Sequence, residues 1–82
     1  MCFGERVPLR LFRRENCSLC ELAEAALRDA NAAHEVMFVE DDAELEQRYG
    51  WRIPVVQRGD TGAELDWPFD SWKIRRFLSQ SP

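Results

Sequence analysis

One change of hydrophobic period near the start of the chain limits what it can fold into. Leu9-Arg10-Leu11-Phe12-Arg13 is a short apolar-rich run introduced by Pro8, a residue tolerated at the first position of a strand. From Cys17 to about Asn31 the apolar residues Leu19, Leu22, Ala23, Ala26, Leu27 and Ala30 follow helical spacing. That spacing draws one stripe along a helix. Glu21, Glu24, Arg28 and Asp29 lie off the stripe, with Glu24 and Arg28 forming an i,i+4 pair. Glu35-Val36-Met37-Phe38-Val39 then returns to β-branched and aromatic residues in a nearly continuous run, which suits a strand buried on both faces of a parallel sheet. Strand, helix and strand in succession imply a right-handed crossover and a parallel pair. The class is α/β.

The remaining elements follow from caps and turns. Asp41-Asp42-Ala43-Glu44 reads as a cap with Glu44 at N3, opening a short helix through Leu45 and Tyr49. Gly50 falls where a left-handed residue would stop it. Ile53-Pro54-Val55-Val56-Gln57 and Ala63-Glu64-Leu65-Asp66 are two strands, and the Gly59-Asp60-Thr61-Gly62 turn between them predicts an antiparallel hairpin. Asp70 caps a last helix whose Ile74, Phe77 and Leu78 face the core, with Phe69 placed to staple onto Ile74. The expected order is βαβ, a short helix, ββ and a helix, in one domain over residues 1–82.

Composition narrows the function classes. A chain of 82 residues buries only about 60% of the surface its unfolded form exposes, yet 45% hydrophobic content with five Phe and three Trp supplies a core. A net charge of −4 argues against a nucleic-acid or anionic-membrane surface. No apolar run is long enough to cross a bilayer. Met1-Cys2-Phe3-Gly4-Glu5-Arg6 lacks a basic stretch followed by an apolar region, so no secretory signal is expected and a cytoplasmic location is. Three cysteines are too few for a disulfide-stapled secreted domain, so their thiols are expected to be free.

Two of those cysteines are placed for chemistry. Cys17-Ser18-Leu19-Cys20 directly follows the first strand and opens the first helix. A helix N-terminus concentrates unpaired N–H groups and the positive end of the macrodipole. Cysteine pKa values in such sites fall from about 8.5 to roughly 3.5–7.5. The spacing puts Cys20 one turn below Cys17, with Cys17 exposed at the helix tip and Cys20 tucked against the stripe. That asymmetry separates a nucleophile from a resolving thiol, the two roles that thiol–disulfide exchange requires.

Other arrangements carry less. Cys2, Cys17, Cys20 and His34 match a Cys₃His zinc set in number, but the first helix places His34 roughly 20 Å from the thiols. No metal is expected, and His34 reads as an exposed loop residue. Two cysteines serving as small buried hydrophobes is the plainest alternative. Cys2, near the terminus, reads as a bystander thiol. Arg13 and Arg14 either raise thiolate character or are ordinary solvated charges, whereas Glu15 and Glu21 oppose the thiolate. Asp41, Asp42 and Glu44 suit capping better than a metal. Trp51 is expected to pack on the short helix, and Trp72 to stand exposed on the Arg75–Arg76 side of the last helix.

Taken with Leu11-Phe12, Tyr49-Gly50-Trp51-Arg52-Ile53-Pro54-Val55-Val56 and the closing hairpin and helix, the Cys17–Cys20 motif resembles a glutaredoxin-like member of the thioredoxin superfamily. The resemblance covers nearly the whole chain and implies a thioredoxin-like (glutaredoxin-type) four-stranded mixed sheet flanked by three helices. It implies a cis Ile53–Pro54 bond beside the dithiol and places Arg14 where glutaredoxins often carry a lysine that meets the glycyl carboxylate of glutathione. The chain departs from glutaredoxins in having Arg52-Ile53-Pro54 for Thr-Val-Pro and no glycine pair after the fourth strand. Trp67-Pro68-Phe69 is more similar to the Trp-Ser-Gly-Phe of small redoxins served by thioredoxin reductase, and to a group of short bacterial glutaredoxin-like proteins.

The implied activity is thiol–disulfide oxidoreduction by a monomer with no bound cofactor. Cys17 and Cys20 are the catalytic residues, and Arg14, Ser18, Leu19, Ile53, Pro54, Asp66 and Trp67 the substrate-binding ones. The partner is a disulfide-containing protein or glutathione, and either glutathione or a flavin reductase returns the electrons. The alternative is a non-catalytic thioredoxin-fold module that binds a partner protein.

Overall fold

The structure, a computed structural model, describes residues 8–80, so Cys2 lies outside the described residues. Strand β1 spans Leu9–Arg13, helix α1 Ser18–Asp29, strand β2 Glu35–Phe38, helix α2 Ala43–Tyr49, strand β3 Val55–Arg58, strand β4 Glu64–Asp66 and helix α3 Ser71–Ser79. A single 3₁₀ turn at Val39–Asp41 joins β2 to the cap of α2. The sheet order is β2-β1-β3-β4. β1 pairs with β2 in parallel and with β3 antiparallel, and β3 pairs with β4 antiparallel. This is a mixed four-stranded α/β sheet with three helices.

The two faces of the sheet follow from period-two alternation. Leu9, Leu11 and Val56 point to one side, where they pack with Ala23 and Leu27 of α1 and with Phe69, Ile74 and Phe77 around α3. Phe12 and Val55 point to the other, where Val39 and Tyr49 complete a smaller cluster under α2. The Phe12 and Tyr49 rings stack with centroids 4.1 Å apart. The staple between Phe69 and Ile74 forms, both side chains lying in the larger core, and the Asp70 carboxylate accepts the Lys73 N–H at 2.9 Å.

The same alternation buries two arginines. Arg13 has the parity of Leu9 and Leu11, so it is not a solvated charge at a sheet end. It lies beneath the Phe38 ring, and its Nη1 donates to Glu24 Oε1 at 2.9 Å. Glu24 is thereby drawn to Arg13 and not to the expected Arg28. Arg58 has the parity of Val56, is 2% exposed, and donates to the carbonyl oxygens of Phe77 and Gln80 at 2.7 and 2.9 Å. It satisfies orphan acceptors at the C-terminus of α3.

Among the described residues β2 is an edge strand paired with β1 alone, and its Val36, Met37 and Phe38 are half-buried, so it is not the strand covered on both faces that was expected. Asp42, not Asp41, is the N-cap of α2, its carboxylate accepting the N–H groups of Glu44 and Leu45. Gly50 is right-handed (φ −56°). Its lack of a side chain instead makes room, since a Cβ would stand 2.5 Å from the Glu46 carbonyl oxygen. The left-handed stop occurs at the end of α1, where Asn31 (φ 57°) and Ala32 donate to the carbonyls of Arg28 and Leu27. That is a Schellman closure. His34 is half-buried against Glu24 and not an exposed loop residue. Trp51 stands 83% exposed and does not pack on α2. Trp72 is exposed, with the Arg76 guanidinium 4.9 Å from its ring.

Candidate active site

The carboxyl end of β1 delivers the chain into a tight turn at Glu15 and Asn16, the latter in the left-handed region (φ 54°). This reversal points the next residue, Cys17, at the start of α1. Cys17 is the N-cap of that helix, and its Sγ accepts the backbone N–H of Cys20 at 3.2 Å. A sulfur replaces the hydroxyl or carboxylate oxygen that usually fills this position. Cys17 and Cys20 are joined as a disulfide with Cα atoms 5.2 Å apart. Cys20 is fully buried and Cys17 partly exposed, so the two cysteines of the pair differ in their access to solvent.

Leu19 and Leu22 both belong to the apolar stripe anticipated for α1, yet they stand 46% and 56% exposed. The face that packs inward runs through Cys20, Ala23 and Leu27 instead. Ser18 is exposed beside Cys17.

The approach to β3 forms the opposing wall. Register places Val55 opposite Phe12, so Ile53 and Pro54 lie at the end of the sheet from which Cys17 emerges. The Ile53–Pro54 peptide is cis, as is Trp67–Pro68, a bond that no pattern in the sequence singled out. Pro54 is buried, Ile53 half-buried, and the Trp67 N–H donates to the Pro54 carbonyl oxygen at 3.3 Å. Trp67 is half-buried and meets Phe69 edge-to-face at 5.1 Å.

The charged residues expected to meet substrate are engaged within the chain. Arg14 Nη2 donates to Glu46 Oε2 at 2.7 Å and to the Gly50 carbonyl oxygen at 3.0 Å, tying the turn before Cys17 to the end of α2. The Glu46 hydrogen bond raises the Arg14 pKa further. Asp66 accepts from Arg52 Nη2 at 2.7 Å, and the same atom donates to Glu64 Oε1 at 2.9 Å. Arg52 thus fastens the loop before Pro54 to β4. Glu40 accepts the Glu15 N–H at 3.0 Å, which holds its carboxyl below the usual range. The hydrogen bonds of Glu46, Gly50, Glu40 and Arg52 carry no local signal in the sequence, because their partners lie 12 to 36 residues away.

Residues 8–79 match the glutaredoxin-like domain (DUF836). The chain belongs to this glutaredoxin-like family. Its fold is similar to the X-ray structure of target protein XcR50 from X. campestris, with a TM-score of 0.84 and 45% identity over 90% of this chain and 99% of that one. The glutaredoxin-like chain is also similar to protein Ne2328 from Nitrosomonas europaea, with a TM-score of 0.80 and 30% identity over 96% and 99% of the two chains. Among curated proteins no relative matches. No helix among the described residues is long and apolar enough to cross a membrane.

Proposed function

We propose that this glutaredoxin-like protein is a thiol–disulfide oxidoreductase working through the Cys17–Cys20 dithiol. One observation carries the reading: the N-cap Cys17, partly exposed and with its sulfur accepting the Cys20 N–H, is bonded to the fully buried Cys20 one turn away. A helix start that donates to sulfur favours the thiolate at Cys17.

In the reduced chain the Cys17 thiolate attacks one sulfur of a substrate disulfide. A bond forms from Cys17 Sγ to that sulfur, the substrate S–S bond breaks, and the departing thiolate takes up a proton. Cys20 then loses its proton and attacks Cys17 Sγ, so the mixed disulfide breaks, the second substrate thiolate leaves and the Cys17–Cys20 bond closes. Two electrons pass from the dithiol to the substrate. Ser18 and Leu19 flank the attacking sulfur, Ile53 and Pro54 offer backbone to an extended substrate, and Trp67 backs the groove. Arg14 and Asp66, held by Glu46 and Arg52, act as positioning groups for the walls. Glutathione or a flavin reductase in the cytoplasm supplies the electrons that reopen the disulfide.

The test is turnover of insulin disulfides and of oxidised glutathione by purified protein, with a chemical dithiol as reductant. Cys17→Ser is expected to abolish turnover, and Cys20→Ser to accumulate a mixed disulfide at Cys17. Retained activity in Cys17→Ser rejects the assignment of the nucleophile. A Cys17–Cys20 disulfide inert to both substrate and reductant favours the non-catalytic binding module.

A further inference from the structure

We propose that the surface flanking Cys17 recognises a polypeptide disulfide bordered by apolar and basic side chains, in preference to small anionic disulfides such as oxidised glutathione. The inference deepens the dithiol reading and rests on it for its chemistry, but its recognition stands on separate observations.

The first is apolar. Among the described residues four large hydrophobic side chains are exposed, and three of them lie on the segments that flank the dithiol in sequence: Leu19 and Leu22 on α1 just after Cys17, and Trp51 between α2 and Ile53–Pro54. Leu19 and Leu22 are three residues apart on one helix face, within the first two turns after Cys17. Trp51 follows Gly50, whose carbonyl is held by Arg14, and precedes the Ile53–Pro54 wall. Leaving these side chains in water while Cys20, Ala23 and Leu27 fill the core suits a surface that is covered when a partner docks.

The second is charge. The arginines nearest the site are all committed internally: Arg13 to Glu24, Arg14 to Glu46, and Arg52 to Glu64 and Asp66. Glu15 and Glu21, by contrast, are exposed and make no ion pair among the described residues. Glu15 precedes Cys17 by two residues, and the Glu21 N–H donates to the Cys17 carbonyl oxygen at 3.1 Å, placing Glu21 in the first turn. Lys73, which reaches the Pro68 carbonyl oxygen at 3.4 Å, marks the far rim beyond Trp67. Arg28 lies about 16 Å along α1 from Cys17. The rim on the α1 side is therefore apolar and acidic. It attracts lysine or arginine beside an apolar residue and repels glutathione, whose carboxylates outnumber its amine.

The experiment uses two peptide disulfides of equal length, one flanked by Lys and Leu and one by Glu and Ser, with oxidised glutathione as a third substrate. Cysteine-free versions of both peptides, with Ser at the Cys positions, report binding alone. The basic, apolar peptide is expected to bind and to be reduced about tenfold better than the acidic one at low salt, with the gap narrowing as salt rises. Glu15→Lys with Glu21→Lys should reverse the order. Leu22→Ser should weaken binding of the basic peptide while the rate of Cys17 alkylation by a neutral reagent stays unchanged. Equal binding of the two cysteine-free peptides, or an order indifferent to the glutamate reversals, overturns the proposal. A preserved binding preference with no reduction of any disulfide leaves the surface standing and removes the oxidoreductase reading.

Discussion

Arg14 donates one guanidinium nitrogen to both Glu46 Oε2 and the Gly50 carbonyl oxygen, at 2.7 and 3.0 Å. This bracket joins the turn that presents Cys17 to the segment leading into Ile53–Pro54, so it ties the two walls of the proposed site to each other. Small misplacements of reacting groups are expensive in rate. Arg14→Ala and Glu46→Ala are each expected to lower kcat/KM for a peptide disulfide by roughly tenfold, and the double variant to do little worse than either single one. If Arg14 instead meets a substrate carboxylate, Glu46→Ala frees it and improves turnover of oxidised glutathione. Steady-state kinetics on the three variants separates the two roles.

Acid should weaken the fold through identifiable carboxylates. Burial disfavours ionisation of Glu64, but hydrogen bonds from Tyr49 Oη at 2.7 Å and Arg52 at 2.9 Å outweigh it and hold its carboxyl below the ordinary value of 4.5. Asp60 is held below 3.8 by the hydrogen bonds from Arg58, and Glu40 below 4.5 by the N–H of Glu15. A carboxyl with a lower pKa in the folded state adds stability above its unfolded value, and that stability is lost as pH falls through the folded value. The Tm is thus expected to decline from the ordinary carboxylate values downward, and Glu64→Gln to flatten part of that slope. On the alkaline side, burial and then the Glu64 hydrogen bond raise the Tyr49 pKa. Its contribution is present below 10.0 and fades as pH climbs to the raised folded value. A Tm–pH profile in which Glu64→Gln runs parallel to the parent would contradict this account.

What was legible in the sequence, and what was not, divides along physical lines. Local signals carried the dithiol and its placement: a strand, a turn and a helix stripe put Cys17 at a cap and Cys20 inside. Caps defined by a side chain and its own backbone, as at Asp70, were also readable. The misreadings concern the third dimension. The run Val36-Met37-Phe38 carries no mark of an edge position, because edge or centre depends on where β3 inserts. Leu19 and Leu22 fit the helical stripe as well as Ala23 and Leu27 do, and only the packing of α1 against the sheet and α3 decides which are covered. Arg13 and Arg58 were legible in principle, since each shares the parity of buried strand neighbours, Leu11 and Val56. A charge at an inward position of a strand predicts a buried partner, here Glu24 and the α3 carbonyls.

The cap at the head of α1 links stability to chemistry. Cys17 Sγ accepts the Cys20 N–H at 3.2 Å, so the N–H that meets the sulfur at the helix terminus would also favour negative charge on the proposed nucleophile. Serine keeps an acceptor at this position and alanine does not. In a Cys20→Ala background, which removes the disulfide from the comparison, Cys17→Ser is expected to exceed Cys17→Ala in stability by about 1 kcal/mol. Urea denaturation of the two variants provides the measurement. In the same Cys20→Ala background with Cys17 intact, ultraviolet thiolate absorbance should place the Cys17 pKa below that of a free thiol. The two readouts must agree. Serine and alanine variants of equal stability, with an unshifted Cys17 thiol, would mean that the helix start donates nothing to position 17, and the nucleophile would lose its physical basis.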